Sequence, residues 1–300
     1  MKRILLIVFL LISRGLSLAW SSPGHMTIAA IAYRELSDSQ RQAVTELLKH
    51  HPDYPKWKDN YTMSGSDFDF DTFIFMRAST WPDEIRRRGN PYDHPEWHYV
   101  DYPLEPPDFP EKPSPFPTND ILYGISQSEI IIRDTNSSSE VRAAYFSWLI
   151  HLVGDIHQPL HCSTLVTTNY PAPAGDRGGN EFYVRPAEAP VTLHSIWDRA
   201  LGATVNVRAQ YNYAIAICAV YSRTNLVELS RHKIPESWSI ESRAIAIEDA
   251  YLRGSLKGSN EAADAPPLPD GYTKQMKMIS ERQAALAGYR LADEIKRYIR

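Results

Sequence analysis

A mainly α-helical domain with little sheet is the architecture that this 300-residue sequence predicts. Three observations carry the expectation. Long stretches place apolar residues at helical spacing, and serine and proline signals mark where those stretches begin. One stretch, "GDRGGNEFYVRPAEAPVTLH", reads instead as a glycine turn followed by a short β-hairpin. No internal repeat or long linker divides the chain, although its length could serve one large domain or two small ones.

The chain opens with Lys2, Arg3, the apolar run "ILLIVFLLI" and then "SRGLSLA", whose Ser17 and Ala19 form a small-x-small pattern. This is a secretory signal over residues 1–19, cut between Ala19 and Trp20. The apolar run is far shorter than the roughly 20 residues of a membrane span, and no cysteine lies near the cut. An uncleaved anchor helix is the alternative. Residues 20–300 are thus expected as a secreted or periplasmic protein, monomeric and without a stable membrane anchor.

The first helix lies in "SSPGHMTIAAIAYREL", with Ser22 as N-cap and Pro23 in the first helical position. Ile28, Ile31, Ala32 and Leu36 follow at helical spacing, and His25 shares their inward side. The stretch 102–120 is proline-rich and reads as an ordered surface loop. "SSSEVRAAYFSWLIHLVGDIHQP" begins with a capping-box signature, Ser137 to Glu140, and must stop close to Pro159. Being apolar nearly all round, it predicts a buried central helix. After the hairpin and the short proline stretch "DAPPLPD", "TKQMKMISERQAALAGYRLADEIKRYI" predicts a long amphipathic C-terminal helix.

Removing the signal takes Lys2, Arg3 and Arg14 and no acid, leaving 29 basic against 36 acidic residues, a net charge of about −7. A protein that grips nucleic acid through many lysines and arginines is normally basic. Positive charge for a polyanion would have to come from something other than side chains. Cys162 and Cys218 allow one disulfide in an exported chain, the alternative being two buried thiols.

The ten histidines are unevenly informative. "HLVGD" places His151 and Asp155 one turn apart on the buried helix, and "QPLH" returns His161 to the same helix end. "LHSIWD" repeats the spacing with His194 and Asp198, while "WPDEIR" offers Asp83 and "WHYVD" offers His98 and Asp101. One such pair is ordinarily a hydrogen-bonded core contact. Two pairs, one of them on an otherwise apolar helix, need compensation for burial, and imidazole with carboxylate suits zinc or a similar divalent ion. His50 and His51 read as surface residues at a helix end, where positive charge is favoured. His94 and His232 read as loop residues, and His157 as structural support.

The ordered strings "WSSPGH", "TWPDEIR", "WHYVD", "HLVGDIHQPLH", "GGN" and "LHSIWD" resemble the single-strand-preferring zinc nucleases of the S1/P1 family, fold relatives of bacterial zinc phospholipase C. With "LAGYRLADEI" near the C-terminus, the resemblance covers nearly all of residues 20–300. It implies one helical domain with three zinc ions. Asp83, His98, His151 and Asp155 would hold the first, and His161, His194 and Asp198 the second. The third would take His25, the shared Asp155, and the α-amine and carbonyl of Trp20, which becomes a chelate once the signal is cut. Three dications would supply the positive charge that the side chains lack.

The resemblance further implies hydrolysis of single-stranded DNA and RNA to 5′-phosphorylated products, with 3′-nucleotidase activity as a companion. Asp101 would act as general base, and Arg86 would fix Asp101 or contact phosphate; a plain ion pair is the alternative. Asn180 would read a base edge or simply close a tight turn. Phe68, Phe70 and Phe73 are candidate base-stacking aromatics. The rivals are a zinc-dependent phospholipase C, a non-catalytic zinc-binding protein, and a helical protein whose His–Asp pairs are purely structural.

Overall fold

A computed structural model describes residues 20–86, 89–109, 114–116 and 119–299. The signal segment lies outside the described residues. Helices dominate: α1 (Ser22–Arg34), α2 (Asp38–Leu48), α3 (Tyr54–Ser64), α4 (Phe70–Ala78), α5 (Trp81–Ile85), α6 (Ile121–Arg133) and α7 (Ser139–Asp155) in the first half. The second half holds α8 (Leu193–Asp198), α9 (Val207–Val220), α10 (Glu228–Arg231), α11 (Pro235–Ile245) and α12 (Tyr272–Tyr298). The expected mainly α class is the one observed.

Strands are minimal. The expected hairpin is β3 (Tyr183–Val184) against β4 (Val191–Thr192), antiparallel with Tyr183 opposite Thr192. The proline-rich stretch is not loop throughout: its start forms β1 (Pro103–Leu104), parallel to β2 (Thr164–Leu165). Leu104 is fully buried there, so an apolar side chain pulls the segment into the body.

Two helix starts fall one residue from their expected places. Ser21, not Ser22, occupies the cap position of α1, with Ser22 as the first helical residue. Ser138 caps α7 by accepting from the Val141 amide at 3.2 Å. The Ser137 hydroxyl is taken by Asp134, to which it donates at 2.8 Å, so the expected capping box does not form.

The core is built around α1, α7 and α12. α1 is buried from Pro23 to Tyr33, and it lies against α4, α7, α9 and α12. α7 is buried from Ala143 onward except at Tyr145 and packs on α6 and α5 as well. Gly288 of α12 makes the tightest of these contacts, because a Cβ there would lie 2.5 Å from Ile31 Cβ of α1. A second apolar cluster gathers the hairpin, α8 and residues 246–256 around Trp197 and Tyr251. The two clusters flank the turn Pro159–Cys162, with Leu160 in one and Cys162 in the other.

Other expectations need correction. Cys162 and Cys218 are free thiols: Cys162 points at the Ile156 carbonyl (3.4 Å) beneath α7, whereas Cys218 on α9 faces Tyr289. His51 is not a cationic surface residue. It stacks on Trp57 at 4.3 Å with Trp81 edge-on at 4.4 Å, and burial pushes its pKa down to about 3. Phe68 and Phe73 are nearly buried, with Phe70 and Phe73 set around Tyr61 and Phe68 against Tyr211, so this aromatic group is packing material. His157 is structural as expected: Nδ1 bonds the Val153 carbonyl (2.7 Å) and Nε2 meets Arg290 (2.7 Å).

Gly288→Ala should be destabilising. Alanine gains up to about 1 kcal/mol in helix propensity, but the clash is with a Cβ that cannot rotate away and costs about 1–3 kcal/mol. A lowered Tm in thermal unfolding is expected, and an unchanged or raised Tm contradicts this packing of α1 on α12.

Candidate metal centre

The site forms where α7 ends. Four residues beyond His151 the helix delivers Asp155 on the same face, and both are wholly buried. The chain then turns through Gln158 and Pro159, which cannot continue the helix, and brings His161 back beside them. α5 adds Asp83, the segment after Trp97 adds His98, α1 adds His25, and α8 adds His194 and Asp198.

These side chains form three groups whose ligand-type atoms converge, the first two sharing His151: Asp83, His98 and His151; His25, His151 and Asp155; and His161, His194 and Asp198. In the first, His98 Nδ1 lies 3.0 Å from His151 Nε2, and each is 3.9 Å from Asp83 Oδ1. Asp155 joins two groups. Its Oδ2 lies 3.0 Å from His98 Nδ1 and 3.1 Å from His151 Nε2, while its Oδ1 lies 3.2 Å from His25 Nε2. A carboxylate divided in this way can bridge two cations. In the third group Asp198 faces His161 Nε2 at 3.7 Å and His194 Nε2 at 3.4 Å.

Backbone carbonyls decide which nitrogen each imidazole presents. His151 Nδ1 donates to Ser79 O (2.8 Å), His161 Nδ1 to His98 O (2.6 Å) and His194 Nδ1 to Gly178 O (2.6 Å). A carbonyl can only accept, so the ring proton sits on Nδ1 and Nε2 keeps a lone pair for the centre. Gln158 does the same for a carboxylate: its amide donates to Asp198 Oδ1 at 2.8 Å while its oxygen accepts from Leu160 N. Gly154 leaves room for His25, since a Cβ there would meet His25 Nδ1 at 2.9 Å.

A metal fits what these donors lack. Among the described residues, the buried atoms Asp83 Oδ1, Asp155 Oδ1, His161 Nε2, His194 Nε2 and both His25 ring nitrogens have no hydrogen-bond partner. Burial disfavours charge throughout. It pushes Asp198 up to about 8 and Asp83 up to about 6, and it pulls His98 down to about 3 and His25 to about 4. For Asp155, burial is outweighed by His151 and His161, and its pKa lies well below the ordinary value. His151 is raised because Asp155 and Asp83 overcome its burial. Such a set is rich in lone pairs and poor in compensating protons, the donor chemistry of a zinc-type site.

Trp20 is fully buried beside this centre. Its indole donates to Gly154 O at 3.0 Å, and the Ser21 amide donates to Asp198 O at 3.0 Å. Residue 20 is thereby held between the ends of α7 and α8, next to both acids in the chain fold.

Asp101 lies within electrostatic reach of His161. Its segment is tied to the turn at Pro159–Cys162, since Val100 N donates to His161 O at 2.8 Å. Burial and Asp176 push the Asp101 carboxyl up to about 6, against Arg177 and His161. Arg86 lies 3.6 Å from Asp83 Oδ1. Asn180 donates through Nδ2 to Arg177 O (2.8 Å) and so closes the turn of the glycine loop. Gln158 and the three orienting carbonyls escaped sequence reasoning. Gln158 stood inside "HLVGDIHQPLH", but nothing in its residue type marks it as a partner of Asp198; carbonyls carry no sequence signal at all.

Residues 20–300 match the family model described as S1/P1 Nuclease. The chain is similar to Endonuclease 4 of Arabidopsis thaliana, 24% identical over 94% of this chain and 89% of that protein. It is also similar to Nuclease S1 of Aspergillus oryzae, 23% identical over 92% of this chain and 91% of the relative. The match spans the whole helical body and every residue of the converging groups: this chain belongs to the S1/P1 nuclease family, hydrolases of phosphodiester bonds.

Proposed function

We propose that the chain is a secreted, zinc-dependent endonuclease that cleaves single-stranded DNA and RNA to 5′-phosphorylated products. The convergence of buried imidazole and carboxylate atoms without hydrogen-bond partners carries this reading. Membership of a nuclease family supports a nucleic-acid substrate over a lipid one. Asp83, His98, His151 and Asp155 would hold one zinc ion, and His161, His194 and Asp198 a second. His25, Asp155 and the amine and carbonyl of a processed Trp20 would hold a third. Bound zinc supplies charge neutralisation at the phosphate and lowers the pKa of water from about 15.7 towards about 7.

The chain's own groups supply the rest. Asp101, with its pKa pushed up to about 6, is ionised at neutral pH and would accept the proton of the attacking water. Arg86 beside Asp83 keeps that carboxylate oriented and presents positive charge towards the substrate phosphate. Ser79, His98 and Gly178 hold the imidazoles in one tautomer, so binding requires no rearrangement of ring protons. Asn180, with its Nδ2 engaged in the turn, offers its side-chain oxygen to a base edge.

Four measurements test this. Hydrolysis of single-stranded DNA and RNA should vanish on chelation and return with zinc, yielding 5′-phosphates; undiminished hydrolysis after complete metal removal contradicts the reading, and release of phosphocholine from phosphatidylcholine in place of nucleotides moves it to a phospholipase. Asp101→Asn should lower kcat about 10²–10⁴-fold with zinc content unchanged. The parent's kcat should rise with pH through about 6, because only the ionised carboxylate accepts a proton; near-parental turnover in the variant removes Asp101 from the chemistry. One residue added before Trp20 should reduce bound zinc by one ion per chain, and an unchanged stoichiometry denies the terminal amine its role.

A further inference from the structure

One residue of the glycine loop breaks the local backbone rule. Arg177 has φ 56°, in the left-handed region, where a side chain with a Cβ is disfavoured and glycine is not. Its neighbours are fixed. Asp176 is fully buried, accepting from Leu165 N at 2.9 Å and from the Tyr251 hydroxyl at 2.7 Å. Gly178 presents its carbonyl to His194 Nδ1 at 2.6 Å. The Arg177 backbone is pinned at both its amide and its carbonyl. Its amide donates to Thr164 Oγ1 and to Ala174 O, each at 3.2 Å, and its carbonyl accepts from Asn180 Nδ2 at 2.8 Å.

The side chain is nevertheless 67% exposed. It stands one residue from the carbonyl that orients a candidate metal ligand, and its charge reaches Asp101 and Tyr99. Its ion pair with Glu181, 3.6 Å apart, is too exposed to justify a strained arginine, because such pairs are screened by solvent. Leu252 (φ 49°) and Arg253 (φ 53°) share this backbone region; Arg177 differs from them in adjoining the Gly178 carbonyl that holds His194, and such outliers cluster at functional sites. An arginine there meets a need of this acidic protein, namely a fork of donors suited to phosphate.

We propose that Arg177, one residue from the Gly178 carbonyl that holds His194, binds a substrate phosphate flanking the one that is cleaved, displayed by a loop whose backbone is locked in the left-handed conformation. The inference rests on the nuclease reading and adds to it a contact with the neighbouring phosphate of a single strand. It predicts a preference for oligonucleotides over dinucleoside monophosphates, since only the former carry a flanking phosphate.

The test compares the full processed chain with Arg177→Gly and Arg177→Lys on a single-stranded octanucleotide and on a dinucleoside monophosphate. Arg177→Gly suits this backbone and should fold with a Tm at or above the parent's. Its kcat/KM for the octanucleotide should fall about tenfold more than for the dinucleotide, mainly through KM. The dependence of log(1/KM) on log salt should become shallower by about 0.7, the value of one phosphate contact on a single strand. Arg177→Lys should restore the salt slope. Losses on the two substrates that agree within twofold, or an unchanged salt slope, overturn the proposal. If the zinc-loaded parent cleaves neither substrate, the nuclease reading itself fails and this contact falls with it; a parent that cleaves both without octanucleotide preference refutes Arg177 alone.

Discussion

Burying several acids and imidazoles at one dry helix end is the constraint on which this structure turns. Each buried polar atom without a partner costs about 1–3 kcal/mol, and a buried uncompensated charge costs more. Domains of this kind are stable by only about 5–15 kcal/mol in all. The unpartnered atoms of His25, Asp83, Asp155, His161 and His194 together put that whole margin at stake. Hydrogen bonds to the backbone satisfy the outward nitrogens of His151, His161 and His194 but leave the inward atoms facing one another. Bound cations would settle the imbalance. They would also allow a chain with more acidic than basic residues to attract a phosphate.

The smaller elements of the fold exist in relation to that end of α7. The β1–β2 pair and the Val100–His161 bond tie the His98 segment to the turn that carries His161. Asp176 and Tyr251 anchor the glycine loop, whose Gly178 carbonyl orients His194. Gln158 links the turn to Asp198 on α8. A change in any of these would move a donor atom without touching it, which is how a site assembled from distant stretches of chain keeps its geometry.

Much of this was legible in the sequence because the informative signals are local. The buried α7, the long α12 and the short hairpin follow from apolar spacing and a glycine turn, and the His–Asp pairs follow from a four-residue spacing. Signals that depend on competition were misplaced. Ser137 lost its cap role because Asp134 captured its hydroxyl, and His51 left the surface because Trp57 and Trp81 enclose it. The two cysteines satisfied the parity expected of a disulfide, yet they point at different partners. The three carbonyls that orient the imidazoles belong to residues whose side chains say nothing about it.

Anomalous diffraction at the zinc absorption edge, from crystals of the processed protein purified without added chelator, tests the central claim most directly. Three peaks are predicted: one amid Asp83, His98, His151 and Asp155, one amid His161, His194 and Asp198, and one between His25 and the amine of Trp20. Density for ordered waters alone at these positions, with no anomalous signal even after zinc is supplied, would contradict it.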